Sequence, residues 1–261
     1  MTIALRSMLM LLALGWAGSA LAALTADYRF QNTLTSSVPG APALANVGPD
    51  TNVFVINSVG GVNRTVLSFE EDNGVVLAPT TGVTSGGTYT IVLLARLAPE
   101  YAFARYVDFK NGTSDTGLYE NGGKLNFFDL AVGADAPIIP DTYRQIVLTR
   151  AGGSGTVVGY VDGVQQFSFV DSGGDGVISA ANTLRFFIDD NQSGGDAAEG
   201  EVARIRIYNN ALSPAEVAAL DRLPAETAVD VPTLSPLALL ALAALLGIAM
   251  WAALQARRAP A

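Results

Sequence analysis

The chain has 261 residues, 24 of them acidic and 15 basic, with no histidine and no cysteine. That composition excludes a Ser-His-Asp triad, a thiol nucleophile, disulfides, and zinc or iron held by His or Cys. Half of the residues are hydrophobic, so a domain between the ends can hold together by core packing alone.

Arg6 is the only charge before an apolar run over residues 8–14, and small residues follow as far as Ala20-Leu21-Ala22. A basic start, a short apolar core and an A-x-A site form a secretion signal, placing signal peptidase cleavage after Ala22 and the signal peptide at residues 1–22. A retained membrane helix is the competing reading, and the apolar run is short for it.

From residue 23 the pattern is of many short strands. Leu24, Ala26, Tyr28 and Phe30 alternate with Thr25, Asp27 and Arg29, giving one apolar face. Residues 53–56, 65–69, 75–77 and 88–97 are rich in β-branched and aromatic side chains, and the last is long enough for a central strand. Residues 105–110 end at Asn111-Gly112. Residues 118–119 and 124–128 flank Asn121-Gly122-Gly123, and residues 143–150 and 156–161 flank Gly152-Gly153-Ser154-Gly155. Asp162-Gly163 joins Val161 to Val164 as a two-residue hairpin turn. Residues 183–188 and 201–208 complete the set. The pattern predicts an all-β sandwich, and a β-barrel also satisfies it.

One short helix follows. Ser213 is its N-cap, Pro214 its first residue and Glu216 its third, a capping box, with Leu212 and Val217 as the hydrophobic staple. Leu223-Pro224 is the expected stop, so the domain spans residues 23–223 and an acidic linker spans 224–230. Residues 234–254 carry no charge, a length that crosses the bilayer hydrocarbon as a helix, and Arg257 and Arg258 follow on the cytoplasmic side.

All 24 acidic residues lie between the two ends, whereas Arg6, Arg257 and Arg258 lie in them. The exported part is therefore near −12, with 12 basic residues. Such a field repels nucleic acid and suits hard cations. Both tryptophans, Trp16 and Trp251, are in the ends, so stacking on a sugar would fall to Tyr or Phe.

Val231-Pro232-Thr233-Leu234-Ser235, the apolar span and the basic end together resemble the IPTL-CTERM signals, relatives of the PEP-CTERM signals of Gram-negative bacteria. Val231 stands where Ile is usual, and Pro236-Leu237 where an acidic residue and Trp are usual. The resemblance implies that residues 231–261 are a sorting signal processed by an exosortase-type protease; a plain single-span anchor is the alternative. Three further segments resemble bacterial concanavalin A-like, laminin-G-type domains: residues 24–30; Gly159-Tyr160-Val161-Asp162-Gly163-Val164; and residues 200–213 with the capped helix after them. This implies a two-sheet jelly roll that binds glycans or proteins or serves structurally; some relatives hydrolyse glycans.

Glycoside hydrolysis needs two carboxylates facing one bond. Glu70-Glu71-Asp72-Asn73-Gly74 is the nearest cluster, and its Asn-Gly makes it a turn, so the expectation is that the chain is not an enzyme. Calcium is the candidate cofactor. Asp189, Asp190 and Asn191 open a Gly-rich loop that Asp196 and Glu199 close, an oxygen-rich set suited to a hard cation, with a solvated acidic loop as the competing reading. Residues 171–176 form a second such loop. In Phe127-Phe128 and Phe186-Phe187, one ring of each pair is expected in the core and the other outward or under a loop. The expected function is a non-catalytic binding or structural protein of the cell surface or matrix, with polysaccharide or envelope proteins as partners. A glycan-active enzyme and a permanently anchored receptor are the rivals.

Overall fold

A computed structural model describes residues 22–98, 103–192 and 194–223. Ala20 of the signal, the motif at residues 231–235, the span at 234–254, and Arg257 and Arg258 lie outside the described residues. Among the described residues, no helix is long and apolar enough to cross a membrane.

The chain forms strands β1 (Leu24–Tyr28), β2 (Ala45–Val47), β3 (Val53–Val59), β4 (Val62–Phe69), β5 (Gly74–Leu77), β6 (Tyr89–Leu97), β7 (Ala104–Asp108) and β8 (Gly117–Asn121). It continues through β9 (Lys124–Phe128), β10 (Ala131–Val132), β11 (Arg144–Ala151), β12 (Thr156–Val161), β13 (Val164–Val170), β14 (Leu184–Phe186), β15 (Gly200–Tyr208) and helix α1 (Pro214–Ala218). These make two antiparallel sheets, not a closed barrel. One runs β13-β12-β11-β6-β15-β4-β3, and the other β10-β9-β8-β7-β14-β5-β2. Strand β15 shares one edge between two partners. Its start, residues 200–202, pairs with β4, and its end pairs with β1 beyond a bulge near Ala203.

Alternation puts one face of each sheet inside. Ile91, Leu93, Ile146, Leu148, Val202, Ile205 and Ile207 project from the eight-stranded sheet, opposite Leu77, Leu118, Leu125, Phe127, Leu184 and Phe186 of the seven-stranded one. At about 1.5–3 kcal/mol for each fully buried large apolar side chain, this core needs no disulfide. The opposite face of the eight-stranded sheet is capped in its middle, where Val92, Val147 and Tyr160 pack under Leu212 and Val217. The capping box is present in full: Ser213 Oγ accepts from Glu216 N, and the Glu216 carboxylate accepts from Ser213 N at 2.7 Å. No helix covers the outer face of the seven-stranded sheet among the described residues.

The hairpin motif obeys local sterics. Asp162 and Gly163 have φ of 51° and 81°, the left-handed pair that a two-residue primed turn requires. Gly159 has a different reason: a Cβ there would lie 2.4 Å from the Phe167 ring.

Three details depart from expectation. Helix α1 ends at Ala218, short of Leu223, because the chain then turns so that the Asp221 carboxylate meets Arg204 and Arg206. Phe186 and Phe187 are both buried. Phe187 takes φ 66° after β14 ends and stacks on Phe69 at 4.6 Å, so strand alternation no longer applies to it. Strands β2 and β10, of three and two residues, were not expected; runs so short carry no period.

Candidate functional site

On the outer face of the seven-stranded sheet, the site is built from three neighbouring strands. Their register sets Arg105, Tyr119 and Asn126 side by side across β7, β8 and β9. Leu118, Leu125 and Phe127 point into the core, so Tyr119, Asn126 and Phe128 point out. A bulge between Arg105 and Val107 lets Arg105 share that outer face.

At the β8–β10 end lies a hollow of about 360 Å³ lined by Phe103, Asn121, Lys124, Asn126, Phe128 and Val132. Its rings brace one another. Phe103 lies edge-on to Phe128 at 5.2 Å and to Tyr119 at 5.7 Å. Asn126 is 4% exposed; its Nδ2 donates to Lys124 O at 3.1 Å, and its Oδ1 has no partner. A buried acceptor left unsatisfied costs about 1–3 kcal/mol, which a ligand hydroxyl would recover once the amide turns into the hollow. Val132 is exposed on the rim. Phe128 is joined to Asp129, also on the rim, by a cis peptide bond.

Beside the hollow is a charge cluster. The Arg105 guanidinium is fully buried, 4.4 Å over the Tyr119 ring. It pairs with Asp190, reaches Asp115 at 3.4 Å and Asp189 at 3.9 Å, and the Tyr119 hydroxyl donates to Asp115 Oδ1 at 3.0 Å. Asp189 also closes its own loop, accepting from Asp190 N at 2.7 Å and Asp196 N at 3.1 Å. Burial, then the charges of Asp189 and Asp115, pushes the Asp196 carboxyl up to about 6. Burial, with Asp190 next, raises Asp115 as well.

The structure therefore brings together Asp189, Asp190 and Asp196 of the expected calcium set, but around a guanidinium. Asn191 and Glu199 are exposed. Asn191 lines a hollow with Asp189, Asp190 and Arg185, whereas Glu199 lines a separate one with Arg96, Asp141 and Glu201. Among the described residues, no group of three or more carboxylates is arranged to hold a metal ion. The second acidic loop repeats the pattern: Asp171 accepts from Arg150 Nε at 2.8 Å and from the amides of Asp175 and Gly176.

Glu201 is also occupied. It accepts from Arg96, from the Tyr143 hydroxyl at 2.6 Å and from Asn57. Burial works to raise this carboxyl, but the Arg96, Tyr143 and Asn57 hydrogen bonds outweigh it and hold it below the ordinary range. Phe128 met the expectation of one outward ring, while Phe103, Tyr119, Lys124 and Asn126 were not singled out in the sequence. One signal was available for Lys124: the chain has only two lysines, Lys110 and Lys124.

Comparison with solved structures agrees on the fold. Domain 4 of AbnA, a GH43 extracellular arabinanase from Geobacillus stearothermophilus described in complex with arabinotriose, matches with a TM-score of 0.56 at 20% identity, covering 76% of this chain and 98% of that one. The binding domain of botulinum neurotoxin DC, described in complex with rat synaptotagmin II, matches with a TM-score of 0.53 at 12% identity, covering 76% and 50%. A botulinum neurotoxin type C structure, whose cell entry is described as dependent on two ganglioside molecules, matches with a TM-score of 0.52 at 10% identity and the same coverage. The chain thus spans about half the length of these neurotoxin structures. A comparison with curated proteins finds no match. Residues 69–218 match the laminin-G family model described as the concanavalin A-like lectin/glucanases superfamily, and the chain belongs to that family.

Proposed function

We propose that this chain is an exported, non-catalytic surface or matrix protein whose laminin-G-type domain binds a glycan in the hollow beside Phe128. The observation that carries the reading is Asn126 Oδ1, a buried acceptor without a partner in a hollow walled by the Phe103 and Phe128 rings. A saccharide presents what such a site lacks: hydroxyl donors for the amide and C–H faces for the rings. The arabinotriose bound to the arabinanase domain supports a saccharide as the ligand class. A binding role is favoured over hydrolysis because Glu70, Glu71 and Asp72 are exposed at a turn and Glu201 is held ionised by Arg96, so neither group offers the facing acid and base that hydrolysis needs.

The test is binding of an oligosaccharide panel to the full chain in detergent, comparing wild type with Phe128→Ala. At least one member should bind wild type, and the variant should bind it at least tenfold more weakly. Equal binding by both, or turnover of any member, overturns the reading.

The tail reading belongs to the same proposal. The signal at residues 1–22 exports the domain, the span at 234–254 holds it in the inner membrane, and an exosortase-type protease processes the tail for delivery to the outer surface or matrix. The support is the order of Val231-Pro232-Thr233-Leu234-Ser235, apolar span and basic end. Mass spectrometry of the mature protein decides it, because retention of Arg257-Arg258 in wild-type cells leaves a permanent anchor instead.

A further inference from the structure

We infer that the hollow selects a saccharide bearing an isolated carboxylate, such as a uronic acid unit, and that Lys124 is the residue that recognises it. The inference rests on the glycan reading above and specifies the ligand of the same site.

Basic residues are scarce in the exported part, and almost all of them are committed. Arg105 is paired with Asp190, Arg150 with Asp171, Arg185 with Asp108, and Arg204 with Asp27. Arg29, Arg96, Arg144, Arg206 and Arg222 also face carboxylates, and Arg64 is engaged. The Lys110 ammonium donates to the carbonyls of Gly174 and Val177 at 2.7 and 2.9 Å. Among the described residues, Lys124 is the one cation whose side chain has neither a hydrogen bond nor an ion pair, even though Asp129 lies on the same rim.

Its location gives that charge a use. Lys124 and Asn126 alternate on one strand, so both side chains stand on the outer face, two residues apart. Lys124, Asn126 and Phe128 thus line the same hollow. A sugar ring against Phe128 would have a ring carboxylate accept from Lys124 and, once the Asn126 amide turns into the hollow, a hydroxyl donate to its Oδ1. The acidic field of the rest of the domain then acts as a filter. It repels densely charged polymers, so a carboxylate is accepted only where Lys124 meets it at short range.

The experiment measures affinity of the full chain in detergent for a uronate-containing oligosaccharide and for the same oligosaccharide with its carboxyl reduced to an alcohol. A charge-assisted hydrogen bond predicts about a tenfold preference for the acid form. Lys124→Met should abolish that preference, and Lys124→Arg, which keeps the charge, should retain most of it. Equal affinity for the two forms in wild type, or a preference that survives Lys124→Met, overturns the inference. If neutral oligosaccharides bind in a Phe128-dependent way while the acid form gains nothing, the glycan reading stands and only the carboxylate assignment falls. If no acidic or neutral oligosaccharide binds, both fall.

Discussion

Replacing Arg105 with methionine tests the claim that this guanidinium is the internal counter-ion of the acidic loops. Methionine keeps most of the apolar stem and deletes the charge. Arg105 and Asp190 have no side-chain exposure, Asp189 has 7%, and Asp115 has 35%. The variant therefore deletes the guanidinium that Asp190, Asp189 and Asp115 share. Breaking a buried pair on one side costs about 3–5 kcal/mol. For a domain of roughly 200 residues, each kcal/mol lowers Tm by about 2–4 °C, so the expected fall at pH 7 is about 6–20 °C. The sign with pH follows from linkage. A buried carboxylate that loses a neighbouring guanidinium has its pKa raised, so the variant's native state takes up protons the wild-type native state does not. The gap from wild type should be widest at pH 7 and narrow towards pH 5. Thermal unfolding followed by far-UV circular dichroism at both values measures it. A fall of less than about 3 °C, or a gap that does not change with pH, refutes the counter-ion role.

Other outcomes follow from the same structure. Calcium at millimolar concentration should leave the wild-type Tm where chelator puts it but raise that of Arg105→Met, since only the variant has the acidic group without its cation; a wild-type rise restores the ion to the loop. Asp196→Asn should stabilise the protein at pH 7. The native carboxyl, pushed up to about 6 from 3.8, loses stability as pH rises through that window. Discounted for its partial exposure, the effect is about 1 kcal/mol at pH 7 and absent below about pH 4, and denaturation at the two pH values reads it. Gly159→Ala should destabilise by about 1–3 kcal/mol through the clash with Phe167, measured as a lower urea midpoint; an unchanged midpoint would mean the ring yields freely.

What could be read in the sequence was local. Ser213, Pro214 and Glu216 specify the helix start within four residues, and Asp162-Gly163 specifies its turn within two, so the structure reproduces both. Alternation in β1 and β15 likewise survives because their inner faces are buried. The arginine partners of the acidic loops were not legible, for a physical reason. Asp190 and Arg105 are 85 residues apart in the chain, and nothing near either one signals the pairing. The hollow was hidden in the same way, because Phe103, Tyr119 and Phe128 come from three separate segments and meet only when the sheet registers align. Periodicity could place Phe128 outward, but not say which rings stood beside it.

The central claim, that the hollow beside Phe128 is a glycan site centred on Asn126, is tested most directly by Asn126→Leu. The substitution removes the Nδ2 hydrogen bond, worth about 1 kcal/mol, and also removes an unsatisfied oxygen that costs about 1–3 kcal/mol, so Tm should stay within a few degrees of wild type. Calorimetric titration of the full chain with an oligosaccharide that binds wild type should then show affinity reduced at least tenfold. Undiminished affinity in a folded Asn126→Leu protein would contradict the account.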